Sequence, residues 1–244
     1  MTIESRDNYY NPLVLWVYDV FVQILTNTFW WRCPTKSVLV PFFVDNVGPR
    51  HMEVGVGTGY FLRAKVDHEK KRAGHQFSAK YAKTNGNTAQ WPEKLTMVDF
   101  HSQCLRKAAN RIANDTTVSP EFVIANILEP IPLSTEEKFD SIALMYVLHC
   151  IPVPPSTKTK AFENLKQYLA DDGVFFGSTV LGKGVRHNIL GGFLMWLYNY
   201  IGMFGNWDDG KEEILKPLRE NFEEVESEVV GTVLLFRAQK PRRA

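Results

Sequence analysis

Apolar and polar positions follow two registers along the chain. Apolar runs of about four to eight residues read as strands, and apolar positions at i, i+3, i+4 and i+7 read as helices. Residues 51–54, 95–98, 121–125, 139–146 and 173–179 are strand-like, and 139–146 is apolar on both faces, as a central parallel strand should be. Residues 223–230 and 232–239 flank Gly231 and predict an antiparallel hairpin. Helices are predicted over 102–113, where Leu105, Ala108, Ala109 and Ile112 share a face, and over 156–169, with Ala161, Leu165 and Leu169. The turn Asp171-Asp172-Gly173 is expected to stop the second of these. A third amphipathic helix, 211–222, contains Pro217, which is expected to kink it. Alternating strands and helices predict an α/β fold with a mostly parallel sheet closed by the C-terminal hairpin.

The 244 residues suit one domain, 1–244. Lys plus Arg number 28 against 27 Asp plus Glu, a balance that argues against the positive field of a nucleic-acid binder. With 45% hydrophobic and 23% charged residues, wholesale disorder is excluded. Cys33, Cys104 and Cys150 provide neither a disulfide framework nor a CxxC metal site, and no metal is expected. Cys150 is expected to be a small buried residue. The polar start, with Glu4, Arg6 and Asp7, is unlike a secretory leader. The apolar stretches 13–25 and 189–204 are interrupted by Asp19, Gln23 and Asn199 and fall short of the ~20 apolar residues of a membrane span. A cytoplasmic protein without a span is the expectation.

The chemistry-bearing motif is Glu53-Val54-Gly55-Val56-Gly57-Thr58-Gly59, between a predicted strand and a predicted helix. Glycines there permit positive φ and close approach of a ligand to the backbone, and N–H groups at a helix start favour anionic or polar ligands. The spacing is G-x-G-x-G. A dinucleotide fingerprint places its third glycine one residue later, where this chain has Tyr60.

Met52-Glu53-Val54-Gly55-Val56-Gly57-Thr58-Gly59 resembles the first motif of class I S-adenosylmethionine-dependent methyltransferases. Phe139-Asp140-Ser141-Ile142 is similar to the start of that family's fourth strand. Tyr146-Val147-Leu148-His149-Cys150-Ile151-Pro152 and Gly173-Val174-Phe175-Phe176-Gly177-Ser178-Thr179 resemble small fungal methyltransferases of secondary-metabolite clusters, epipolythiodiketopiperazine N-methyltransferases among them. The resemblance implies a Rossmann-like seven-stranded sheet with helices on both faces, S-adenosyl-L-methionine as cofactor, and methyl transfer to N or O of a small molecule. It also implies cofactor contacts. Glu53 approaches the ammonium end, Gly55, Gly57, Thr58 and Gly59 line the methionine and ribose, and Asp99 takes the ribose hydroxyls. Asn126 and Ile127 sit beside the adenine, and Met145 and Tyr146 close the pocket.

Asp99 lies 40 positions beyond Gly59, against ~20 in a typical nucleotide-binding unit. The excess, 64–92, is rich in Lys, His, Gly and Asn and is expected to be a surface insertion. Aromatic residues crowd two segments, Tyr9 to Trp31 and Phe193 to Trp207. The resemblance makes 1–48 a helical lid and 182–210 a second lid segment. Tyr18, Trp31, His187 and Trp196 are the candidate substrate-binding residues, at the edge where α/β sheets bind ligands. His149, at the end of the fourth strand, is the candidate proton acceptor. The absence of Asn/Asp-Pro-Pro-Tyr/Phe after that strand disfavours methylation of nucleic-acid bases. The alternatives are a cofactor-binding pericyclase or cyclase, a non-catalytic cofactor-binding partner protein, and an NAD-dependent oxidoreductase.

Overall fold

The computed structural model describes residues 19–78, 91–116 and 118–243. The chain enters through α1 (Asp19–Trp30), which is π-helical, and a further π-helical stretch, Thr35–Leu39, runs into α2 (Val40–Asn46). There follow β1 (Arg50–Val54), α3 (Tyr60–Ser78), β2 (Lys94–Asp99), α4 (Ser102–Ile112), β3 (Glu121–Ile124) and β4 (Phe139–Met145). A 3-10 turn, Leu148–Cys150, leads to α5 (Pro155–Lys158), α6 (Lys160–Lys166), β5 (Leu169–Val180) and α7 (Ile189–Tyr200). The chain closes with α8 (Lys211–Asn221), β6 (Phe222–Val230) and β7 (Val233–Pro241).

All seven strands form one sheet, in the order β3-β2-β1-β4-β5-β7-β6. β1 to β5 pair in parallel, whereas β7 runs antiparallel to both β5 and β6. The expected α/β sheet with its terminal hairpin is therefore present, and β7 inserts between β5 and β6. Alternate residues feed two cores. Met52, Val54, Ile142 and Leu144 pack with α6 and α8 residues Phe162, Leu165, Ile214 and Leu218. Leu95, Met97, Ala143 and Phe176 pack on the opposite face with Phe43, Leu62, Leu105 and Ile112 from α2, α3 and α4. Connections from β1 lead outward to β2 and β3, and from β4 toward the other edge. That direction reverses at the carboxyl ends of β1 and β4, and open α/β sheets bind ligands at such a point.

Three expectations change. The single helix over 156–169 is divided at Thr159, whose backbone N–H is shared between the carbonyls of Pro155 and Thr157. Beside this break Lys158 turns inward to meet Asp209. The Asp171-Asp172-Gly173 turn lies within β5. Leu169 already pairs with Phe139, and the register then shifts so that Ser141 faces Val174. The expected insertion 64–92 begins as regular helix, since α3 continues to Ser78, with Val66 buried and Lys65 donating to the Val44 carbonyl at 3.2 Å. α8 continues as helix through Pro217.

Candidate cofactor and substrate site

The glycine turn joins β1 to α3 at the carboxyl end of β1. Gly55, Gly57 and Gly59 have φ of 70°, 50° and 71°, and the Gly55 N–H donates to the Val98 carbonyl at 2.8 Å. Their surroundings differ. A Cβ on Gly59 would lie 2.8 Å from Ala108 Cα, so this glycine lets α4 pack against the turn. A Cβ on Gly57 would meet nothing within 4 Å. Gly57 is exposed and opens onto free space. Arg111 holds the turn from α4, donating to the Thr58 carbonyl at 3.2 Å.

Asp99 ends β2 next to this turn. Its Oδ1 accepts from the His101 N–H at 2.8 Å. Burial pushes its pKa up, and backbone N–H groups of His101, Gly57 and Val56 pull it back. Glu53 is buried in β1, 3% exposed, and burial pushes its carboxyl well above the usual range. Its Oε2 lies 2.9 Å from His51 Nε2, a partner that the sequence reading missed. Period-two spacing in a strand puts residues 51 and 53 on one face, so the pair was legible in principle.

Asn126 follows β3 in a local turn, where its Oδ1 accepts from the Leu128 N–H at 3.1 Å and its amide donates to Glu129 at 3.1 Å. Ile127 turns its side chain into the core, and its carbonyl accepts from Asn164 at 3.0 Å. Met145 is buried, with its sulfur 3.7 Å from Ser178 Oγ. Tyr146 leaves β4 with φ 59°, and its hydroxyl is buried without a partner. Burial raises that phenol well above its ordinary pKa.

His149 packs edge-on to Tyr146 at 5.4 Å and to Phe204 at 4.4 Å between ring centroids. Its Nδ1 accepts from the Val180 N–H at 3.3 Å, which leaves the proton of the neutral ring on Nε2. Burial, aided by the charge of Lys158, lowers its pKa to about 3. Cys150 is exposed as a residue, contrary to expectation, yet its Sγ turns inward, 3.8 Å from the Tyr146 carbonyl. Burial pushes that thiol up to about 12.

The four candidate substrate residues separate. Trp31 is 2% exposed and packs against His187 at 6.0 Å and Phe204 at 6.1 Å. Both His187 ring nitrogens are buried without a hydrogen bond. Burial lowers its pKa, against a smaller opposing effect from the nearby Leu181 backbone. Trp196 faces outward, half exposed, stacked on Tyr200 at 5.4 Å. Tyr18 lies outside the described residues. Among the described residues, no group of three or more His, Cys, Asp or Glu is placed to hold a metal, and no helix is long and apolar enough to cross a membrane.

A reversed-order sheet with an antiparallel seventh strand, and a G-x-G-x-G turn beside a carboxylate at the end of β2, define a class I methyltransferase. The chain belongs to the methyltransferase-domain family, whose match spans residues 34–214. It is 66% identical over 242 residues to Methyltransferase aurB of Calcarisporium arbuscula, covering 99% of this chain and 100% of that one. It is 39% identical over 233 residues to the Physcion biosynthesis cluster O-methyltransferase of Aspergillus chevalieri, covering 96% and 94% of the two chains. Its fold is shared, at TM-score 0.53 and 16% identity, with N-methyltransferase NodS of Bradyrhizobium japonicum in complex with S-adenosyl-l-homocysteine, over 84% of this chain and 85% of that one. S-adenosylmethionine is the cofactor of this class. The residues present fit it, because Gly57 leaves open space beside the turn and the carboxylates of Glu53 and Asp99 stand near the same ends of the paired strands β1 and β2.

Proposed function

We propose that this chain transfers a methyl group from S-adenosylmethionine to an oxygen of a small molecule, a fungal secondary metabolite. The observation that carries the cofactor half is the open, positive-φ Gly57 beside the Asp99 carboxylate. The oxygen acceptor rests on the relative named as an O-methyltransferase over nearly the whole chain. Bound there, the cofactor supplies an electrophilic sulfonium methyl.

The protein's part is binding and alignment. Asp99 accepts hydrogen bonds from the ribose hydroxyls, as an ionised carboxylate does. Glu53 faces the ammonium, and Gly55 to Gly59 let the backbone come close. Asn126 and the Ile127 backbone flank the adenine, with Met145 and Tyr146 at the transfer end. Trp31, Phe204 and His187 pack together, and the unpartnered Tyr146 hydroxyl and His187 nitrogens are polar groups that a substrate can engage. Alignment of the acceptor with the sulfonium provides catalysis through proximity, and the acceptor hydroxyl releases its proton to solvent water as its oxygen takes the methyl. His149 acts as an anchor between Tyr146 and Val180 rather than as the base.

Metabolite mass spectrometry of a strain lacking the protein, followed by incubation of the accumulated species with the purified protein and S-adenosylmethionine, tests the reading. A compound lighter by one methylene, converted to an O-methyl ether with release of S-adenosylhomocysteine, is the expected result. Isomerisation without that release would replace the reading with a cyclase.

A further inference from the structure

β1 carries a histidine, His51, with no solvent exposure, in the strand that delivers the glycine turn. Three hydrogen bonds run in one line through it. The Gly48 N–H donates to Ser141 Oγ at 2.8 Å, Ser141 Oγ lies 2.8 Å from His51 Nδ1, and His51 Nε2 lies 2.9 Å from Glu53 Oε2. Ser141 is the register partner of His51 on β4, so the sheet itself sets the contact. Because Ser141 Oγ already accepts from Gly48, its single O–H is free to donate to Nδ1. With that O–H donating, the His51 proton sits on Nε2, directed at Glu53. The ring cannot turn away, for Phe43 and Phe176 pack on it at 5.8 and 6.3 Å.

We propose that His51, fixed as its Nε2–H tautomer by Ser141, is a positioning residue that holds Glu53 as an oriented carboxylate for the cofactor's ammonium group. This rests on the role given to Glu53 above. A buried carboxyl favours its neutral form unless a donor or a cation supports the charge. His51 supplies the donor from inside the sheet, and the ligand's ammonium supplies the cation. Opposite Glu53, β2 and β4 present Met97 and Ala143, neither of which titrates. Burial keeps the His51 ring neutral, against an opposing effect of the Ser141 backbone, and the charge of Lys65 on α3 adds to the effect of burial.

Nitrogen-15 NMR of the histidine rings is expected to show His51 as a neutral Nε2–H tautomer between pH 6 and 8. An imidazolium or an Nδ1–H tautomer would overturn the proposal. Calorimetric titration with S-adenosylhomocysteine is expected to show His51→Phe weakened about 10- to 100-fold, the range for losing a hydrogen bond to a charged group. Ser141→Ala should be weakened less, and Ser141→Thr should bind like the parent. Affinity for 5′-methylthioadenosine, which lacks the ammonium, should be equal in parent, His51→Phe and Ser141→Ala; a merely structural role would weaken both ligands alike and sink the idea. In His51→Phe the lost donor raises the Glu53 pKa, so S-adenosylhomocysteine affinity should fall away at higher pH than in the parent. Glu53→Gln separates the two readings. If it binds S-adenosylhomocysteine like the parent, the ammonium role falls and this inference with it. If it binds weakly while His51→Phe and Ser141→Ala bind normally, only the role of His51 falls.

Discussion

Lys158 Nζ lies 2.8 Å from Asp209 Oδ2, and neither side chain has any solvent exposure. The same amine donates to the Gly205 carbonyl at 2.9 Å, while the Asp209 carbonyl accepts from the N–H groups of Gly182 and Lys183. One ion pair thereby ties α5 to the loops that follow β5 and α7. Removing one partner strands the other charge inside the protein. Lys158→Met should cost about 3–5 kcal/mol, read as a lower urea midpoint. Lys158→Met combined with Asp209→Leu should recover most of that loss, because the uncompensated charge is gone.

The glycines of the turn should separate folding from binding. Gly57→Ala places a left-handed alanine in open space, at a conformational cost of roughly 1–2 kcal/mol. Its methyl group occupies the ligand side, so S-adenosylhomocysteine binding should fall far more than the melting temperature. Gly59→Ala drives a methyl to within 2.8 Å of Ala108 Cα in α4. It should lower the melting temperature well below that of Gly57→Ala. Calorimetry and thermal melts on the two variants check the contrast.

Asp99→Asn should weaken S-adenosylhomocysteine binding by about 10- to 100-fold, the range for hydrogen bonds to a charged acceptor. Burial raises the Asp99 pKa, so the parent's affinity should decline on acidification once pH approaches that raised value. The decline should be reduced in Asp99→Asn, which has no proton to gain. Titrations across a pH series measure both.

His149 and His51 each have a pKa lowered to about 3 by burial, against ~6.5 in an unfolded chain. Between those values the unfolded chain binds protons that the native protein does not, so stability rises with pH and is lost as pH falls below ~6.5. Urea midpoints should drop between pH 7 and pH 5, with a shallower slope in His149→Gln. That variant should keep its turnover and the pH profile of turnover. A collapse of turnover would restore His149 as the proton acceptor.

Much of this protein was legible from residue order alone. Alternation and apolar runs placed all seven strands within a residue or a few, because a β-strand's side-chain period is local and its burial is written in consecutive positions. The G-x-G-x-G run marked the turn between β1 and α3 for the same local reason, since positive φ is a property of single residues. Asp99 was placed at the end of β2 because the apolar run stops there.

Tertiary structure decided the rest. Lys158, at the split before Thr159, is paired with a residue 51 positions away, and local propensity has no access to such a distance. The bulged entry into β5 depends on Phe139 of a neighbouring strand. Trp31 and Trp196 read alike as aromatic positions, yet one fills the core and the other faces outward, because burial depends on which helix packs where. His149 read as a candidate base at the end of a strand, and only the fold set the Val180 N–H against its Nδ1. His51 and Glu53 were both visible, two residues apart. Only the register of β1 against β4 set Ser141 beside His51 and turned two buried titratable residues into a directed pair.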